Sequence, residues 1–255
     1  MSLYSFPSLV EAQVLRRPSS LIKSPYVADI RLGDGTVALC HTPGLGCCGL
    51  VEAGRTIHVS RSRDGSKTQY TSQLANCTDK EGPYFVGLHP MVSQEAARGL
   101  LSTICCEAVW KSEITVGESR FDYVGSLPTG KTIYLEVKTA MVSLGLEKAR
   151  NERRAVFPVG YKKRKGNPVS PRAIKHAESL TLLATQENTH ACYLVFLVPR
   201  SDCGGGFEVN REDPAYYTAV KNAVLAGVQV RAFALDYTVT GITVHCEVPV
   251  YIDLC

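Results

Sequence analysis

The 255-residue chain reads as an α+β protein of two domains, a small β-barrel over residues 1–87 followed by a mixed α/β domain over residues 88–255. Three observations predict this. Short extended runs separated by turn formers fill the first third of the chain. A helical period of apolar residues sets in at Met91. Beyond it helices alternate with strands, and two late strands, 192–198 and 228–235, are nearly all apolar, as strands covered on both faces are.

The elements follow in order. Extended runs are expected at 10–15, 27–32, 37–41, 55–60, 69–74 and 84–87, with Gly33-Asp34-Gly35 and Asp64-Gly65 among the turns between them. Five or six strands in about 85 residues suit a small closed barrel, for which an oligonucleotide/oligosaccharide-binding barrel is one candidate among several. Val92, Ala96, Leu100, Ile104 and Val109 then recur at helical spacing. That spacing predicts a helix of about four turns, with Ser93 as N-cap and Glu95 in the first turn. Strands at 112–116, 120–125 and 132–141 come next, then a polar segment, a helix over 172–187, a strand over 191–198, a helix over 214–226 and a strand over 228–235. Gly204-Gly205-Gly206 follows a strand, but no helix opens directly after it and no Lys-Ser/Thr pair follows. It therefore reads as a flexible loop and not as a phosphate cradle.

Composition narrows the class. Apolar residues make up 45% of the chain and charged residues 20%, which excludes a disordered or fibrous chain. No apolar run approaches the ~20 residues that span a bilayer, and Glu11 and Gln13 stand where a signal peptide needs an apolar stretch. Ten cysteines without an export signal read as reduced thiols, and the adjacent pairs Cys47-Cys48 and Cys105-Cys106 lack the C-x2-C spacing of structural zinc. A soluble cytoplasmic protein is expected, or a nuclear one if the source is eukaryotic, because Lys162-Lys163-Arg164-Lys165 also reads as an import signal. No membrane partner is expected.

The chemistry concentrates in TIYLEVKTAM at residues 132–141. Side chains alternate along a strand, so Glu136 and Lys138 share one face of an otherwise apolar run. If residues 127–131 (LPTGK) form the hairpin loop, Ser126 pairs with Thr132 and Asp122 falls opposite Glu136. Two carboxylates then stand roughly 5 Å apart with an ammonium beside them. Such a pair repels itself unless a hard cation such as Mg2+ takes one or two of its oxygens, and Lys138 would stabilise charge on an attacked phosphate or help to activate a water. The competing reading is a solvated sheet face carrying an Asp122–Lys138 ion pair.

Asp122, followed across a hairpin by Glu136-Val137-Lys138, resembles the PD-(D/E)XK nuclease motif. The wider context, SEITVGESRFDYV at 112–124, YLEVKT at 134–139, Phe157-Pro158, SPRAIKHAESL at 170–180 and AGVQVRAFALDY at 226–237, resembles the sugar fermentation stimulation protein A (SfsA) family over most of the chain. The resemblance implies an OB-like barrel followed by a restriction-endonuclease-like α/β domain, and DNA as the ligand. It also implies Asp122, Glu136 and Glu95 as metal carboxylates for Mg2+ or Mn2+ and Lys138 as the catalytic lysine. The chain departs from the family's His-x-Pro-Asn-Thr-Gly stretch, having His41-Thr42-Pro43-Gly44-Leu45-Gly46, and it carries a basic insertion after Phe157-Pro158.

Between Lys148 and Lys175 lie ten Lys and Arg residues against the single acid Glu152, whereas the whole chain is only +4. Charge so segregated suits a phosphate backbone, which rewards it through counterion release. Lys162, Lys163, Arg164 and Lys165, with Arg172 and Lys175 one turn apart on the following helix, are the expected nucleic-acid contacts. DNA is the expected partner, with RNA and self-association as a homodimer left open. The chain would then be a metal-dependent nuclease. The alternatives are a non-enzymatic nucleic-acid-binding regulator and a carbohydrate- or protein-binding module centred on the barrel. Replacing Lys162, Lys163, Arg164 and Lys165 by Ala should flatten the log–log salt dependence of DNA affinity by about 0.9 for each duplex phosphate no longer neutralised, and an unchanged slope in anisotropy titrations would place the binding surface elsewhere.

Overall fold

The computed structural model describes residues 2–44, 47–160 and 168–253. The chain begins with β1 (Ser2–Ser5) and then forms the predicted N-terminal run of strands: β2 (Val10–Arg16), β3 (Val27–Leu32), β4 (Val37–His41), β5 (Thr56–Arg61), β6 (Tyr70–Asp79) and β7 (Gly82–Gly87). Their order is β4-β3-β2-β5-β6-β7, and β4 also pairs in parallel with β6 through Cys40↔Tyr70 and His41↔Thr71. The sheet thus curls into a partial, OB-like ring around Val14, Ile30, Cys40, Ile57 and Val59, all fully buried. The alternation of apolar and polar residues along these strands turned their inner faces towards one another.

The second region holds α1 (Pro90–Ala96), a 3-10 turn (Ala97–Leu100) and α2 (Leu101–Ile104), then β8 (Val109–Val116), β9 (Ser119–Ser126), β10 (Thr132–Thr139), β11 (Val142–Leu144), β12 (Arg154–Phe157), α3 (Pro171–Ala184), β13 (Thr189–Val198), β14 (Gly206–Val209), α4 (Pro214–Leu225), β15 (Gln229–Tyr237), β16 (Gly241–Val248) and β17 (Val250–Tyr251). A seven-stranded sheet runs β1-β16-β15-β13-β10-β9-β8, with β10, β13 and β15 parallel at its centre. Helices α3 and α4 are the crossovers between these central strands. They cover one face through a stripe that includes Ala173, Ala177 and Leu180 on α3 and Tyr216, Val220 and Ala223 on α4. The other face packs against α1 and α2. A four-stranded sheet, β11-β12-β14-β17, lies beside it.

The fold is the α+β architecture expected, with several differences of detail. The first strand joins the large sheet, pairing with β16, although it precedes the ring in sequence. The expected four-turn helix breaks off at Cys105, whose backbone is extended, and Val109 opens a strand instead. Seven backbone pairings with β9 claim residues 109–116 for the sheet. Pro90 starts α1 at the position a helix tolerates best, so Ser93 is interior and buried, its hydroxyl 2.8 Å from that of Tyr237. The glycine run is packed and not loose: Gly205 donates to the Arg153 carbonyl at 3.0 Å, and a Cβ there would lie 2.6 Å from the Glu152 backbone.

An ionic network fastens ring to sheet. Asp79 of β6 accepts from Arg150 at 2.7 and 3.0 Å and from Arg153 at 2.6 Å. Arg153 also reaches Asp202 at 3.0 Å, and Asp202 in turn accepts from Arg200 at 2.5 and 2.8 Å. The Arg150 guanidinium lies 4.7 Å from the Tyr84 ring centre. Gly87 sits where β7 meets β15, and a Cβ there would come within 2.5 Å of the Tyr237 ring. Arg153 is 4% exposed and Asp202 fully buried, so losing one partner strands a buried charge. Arg153→Ala should therefore destabilise the protein by more than about 2 kcal/mol in urea unfolding; a variant within experimental error of wild type would show that the network is not needed to join the two regions.

Candidate functional site

The hairpin of β9 and β10 has the predicted register, with Thr132↔Ser126, Ile133↔Gly125, Tyr134↔Val124 and Leu135↔Tyr123. The ladder stops there. Where Asp122 would next pair with Glu136, the Asp122 side chain replaces the backbone partner, and its Oδ2 accepts from the Val137 N–H at 2.7 Å. The two strands part at this point, and a cavity of about 590 Å³ opens over the gap. Its lining includes Asp122, Glu136 and Lys138, with Gly44 and Cys47 from the ring side and Arg172 from the start of α3.

Both carboxylates are buried, Glu136 at 2% exposure and Asp122 at 8%, and each is held by named partners. Lys138 Nζ and His176 Nδ1 both contact Glu136 Oε1, and Lys138 Nζ lies 3.4 Å from His176 Nδ1. Glu136 Oε2 is buried and has no partner among the described residues. Gln94 of α1 donates from Nε2 to Asp122 Oδ1. Burial and then the Glu136 charge push the Asp122 carboxyl up to about 6, against the counter-pull of the Val137 N–H and Lys138. Burial works the same way on Glu136, but His176 and Lys138 outweigh it and hold that carboxyl below its ordinary value. The site thus keeps one firmly ionised carboxylate beside one that takes a proton readily.

The predicted residues divide. Asp122, Glu136 and Lys138 come together, and Lys138 pairs with Glu136 and not with Asp122. Glu95 does not join them: it is exposed and faces a neighbouring cavity, while Gln94, one place earlier, takes the position against Asp122. Among the described residues no group of three His, Cys, Asp or Glu stands close enough to hold a metal. Arg172 lines the cavity, whereas Lys175 is exposed and pairs with Glu118 at 3.2 Å. Lys162, Lys163, Arg164 and Lys165 lie outside the described residues. Of the other basic residues between 148 and 175, Arg150 and Arg153 belong to the network at the seam, and Arg154 pairs with Glu208 at 3.4 Å beneath the Tyr251 ring. These three serve structure, so the free basic surface is smaller than the sequence suggests.

Besides Gln94, two site residues were not given their place by sequence reasoning. His176 falls on the apolar stripe of α3 with Ala173, Ala177 and Leu180, and that period was the signal that its ring is buried and must meet a polar partner. Glu113 left no such signal. By the β8–β9 register, Ser112↔Tyr123 and Ile114↔Phe121, it stands beside Asp122, with a left-handed backbone at φ 59° and its carboxylate paired to Arg120. Left-handed backbone in a non-glycine strand residue is strained, and such strain concentrates at functional positions.

Comparison with known proteins agrees with this architecture. A family profile described as the sugar fermentation stimulation protein RE domain matches residues 88–241. The sugar fermentation stimulation protein homolog of Synechococcus elongatus is 27% identical over 248 residues, covering 94% of each chain. That of Thioalkalivibrio sulfidiphilus is 31% identical over 234 residues, covering 89% of this chain and 88% of its own. A solved structure described as Pyrococcus furiosus SfsA in complex with Ca2+ superposes with a TM-score of 0.75 at 22% identity, over 99% of this chain and all of the other.

The raised Asp122 carboxyl has a signed consequence. The folded protein holds this proton up to about pH 6, whereas an unfolded chain releases it near pH 4. Ionising Asp122 therefore costs stability, nothing below about pH 4 and up to about 3 kcal/mol above the folded-state value. Without divalent cations, Asp122→Asn should melt above wild type at pH 7–8, and the gap should close towards pH 4. Equal melting temperatures at pH 8 would contradict the burial of an ionised carboxylate at this position.

Proposed function

The chain belongs to the sugar fermentation stimulation protein family, and we propose that it is a divalent-cation-dependent nuclease acting on DNA. One observation carries the proposal: Asp122 and Glu136 are buried side by side at the point where β9 and β10 part, under a cavity, with Lys138 against them. Two carboxylates are costly to bury together unless a cation is to join them. Glu136 Oε2 is buried without a partner among the described residues, as an oxygen reserved for a ligand would be. Two carboxylates with the remaining positions left to water suit Mg2+ or Mn2+, and the Pyrococcus furiosus protein was solved with Ca2+, another hard cation. Both carboxylates are hard oxygen donors, the ligand type such cations prefer.

When bound, such a cation polarises a phosphoryl oxygen and lowers the pKa of water. The chain's own groups do the rest. Gln94 and the Val137 N–H fix Asp122, and His176 with Lys138 fixes Glu136, so neither carboxylate has to reorganise. The Lys138 ammonium, 14% exposed at the cavity, stabilises negative charge developing on an attacked phosphate. Arg172, in the first turn of α3, adds a guanidinium at the rim, and the α3 N-terminus contributes its positive dipole end.

The amide of Gln94 at the place where a third carboxylate was expected favours a second reading, a non-enzymatic DNA-binding protein that retains the carboxylates for a cation alone. Cleavage assays on single- and double-stranded DNA with Mg2+, Mn2+ or EDTA separate the two. For a nuclease, Glu136→Gln and Lys138→Ala should each lower the metal-dependent rate at least about a hundredfold. Glu136→Gln should bind DNA in EDTA as tightly as wild type or more so, because it removes negative charge from the strand's path. Tight binding with no cleavage by wild type under any of these metals would leave the non-enzymatic reading.

A further inference from the structure

Beside Asp122 the ring, α1 and strands β8 and β9 line a second, open cavity, of about 620 Å³, that the proposed chemistry does not use. Met91, Gln94, Glu113 and Asp122 line both cavities, so a single wall separates them. The volume falls within the ~300–1,000 Å³ of small-molecule sites.

The lining includes the carboxylates Glu95, Glu113 and Asp122, and its other polar groups are of two kinds. Arg61 and Arg63, at and just beyond the end of β5, are exposed, and neither is ion-paired among the described residues; Arg98 also lines the cavity. Two polar atoms of lining residues lack a partner among the described residues. Gln73 is 8% exposed; its Nε2 donates to Ser60 Oγ at 3.0 Å, but its Oε1 has no partner among the described residues. The same holds for the buried His89 Nδ1. A buried polar atom without a partner costs about 1–3 kcal/mol, so two of them in one cavity call for a guest that bonds them. Burial, and next the nearby His41, push His89 below its ordinary value. Its ring is then neutral at pH 7, and Nδ1 donates or accepts according to tautomer.

Guanidinium groups outside and an amide oxygen with a neutral imidazole inside match a nucleotide, charged at its phosphate and bearing N–H donors and ring acceptors on its base edge. We propose that this cavity receives one unpaired nucleotide of a bound strand, its base edge against Gln73 and His89 and its phosphate at Arg61 and Arg63. The inference rests on the proposed nucleic-acid function and adds a substrate class to it. A base enters such a pocket only when unstacked and unpaired, so single-stranded or frayed DNA is favoured over the interior of a duplex. Because Asp122 stands in the shared wall, the captured nucleotide adjoins the phosphate presented to Asp122 and Glu136.

Fluorescence anisotropy in EDTA tests this, with three labelled probes: a single strand, its duplex, and a strand of equal length made of abasic sugar-phosphates. Wild type should bind the single strand about tenfold tighter than the abasic strand, the worth of one base satisfied in a pocket. It should also bind the single strand more tightly than the duplex. Gln73→Met should abolish the preference for bases. Because Gln73 is buried, the exposed pair Arg61→Ala/Arg63→Ala provides an independent check and should weaken binding of all strands about tenfold. Equal binding of abasic and base-bearing strands by wild type, an undiminished preference in Gln73→Met, or wild-type affinity in the arginine double variant would each overturn the pocket. If wild type also cleaves DNA with Mg2+, the pocket falls alone; if it binds none of the three probes, the proposed function falls with it.

Discussion

Keeping two carboxylates buried next to each other in the middle of a sheet is the constraint on which the rest of this structure turns. Desolvation alone would drive both to protonate, and their mutual repulsion adds to that. The protein answers by assigning each a separate set of partners. Glu136 is given the two basic groups, Lys138 from its own strand and His176 from α3, while Asp122 is given only neutral donors, the Val137 N–H and the Gln94 amide. That asymmetry pulls their proton affinities apart and leaves Asp122 as the group that gains most when a cation arrives. It also determines where the sheet opens, since the Val137 N–H bonded to Asp122 is withdrawn from the backbone ladder.

The seam between ring and sheet serves the same end at longer range. Both cavities take walls from each side, so their shape depends on the ring staying in place. The Asp79–Arg153–Asp202–Arg200 chain of charges and the close contact of Gly87 with the Tyr237 ring fix that placement. Charged groups are costly to bury, and a chain in which every charge meets an opposite one is geometrically exacting. Its use at this seam explains why two arginines of the most basic stretch of the sequence, Arg150 and Arg153, are not free to meet a phosphate.

Much of this was legible in the sequence because it follows from short-range periodicity. Alternation along 132–139 set Glu136 and Lys138 on one face, and the LPTGK turn set the register that brings Asp122 to them. The 3.6-residue period similarly located α3 and α4 to within a few residues. What was not legible depends on distant partners. Glu95 and Gln94 are adjacent on a short helix, and only its packing against the sheet decides that the amide faces Asp122. The strands β11, β12, β14 and β17 are two to four residues long, too short for a period to register, and they exist because they pair with one another in a sheet of their own. Charge density between residues 148 and 175 read as a nucleic-acid surface, but Asp79, Asp202 and Glu208, which neutralise part of it, are remote in sequence.

Crystals grown or soaked with Mn2+ and measured for anomalous scattering test the central claim most directly, because they locate the cation without reference to activity. An anomalous peak should lie between the Asp122 and Glu136 carboxylates, at about 2.0–2.6 Å from an oxygen of each, with waters completing its shell. A fully occupied Mn2+ elsewhere, or an Asp122–Glu136 pair that stays free of metal at a concentration that saturates the protein in solution, would contradict the claim that these carboxylates are buried together to hold a cation.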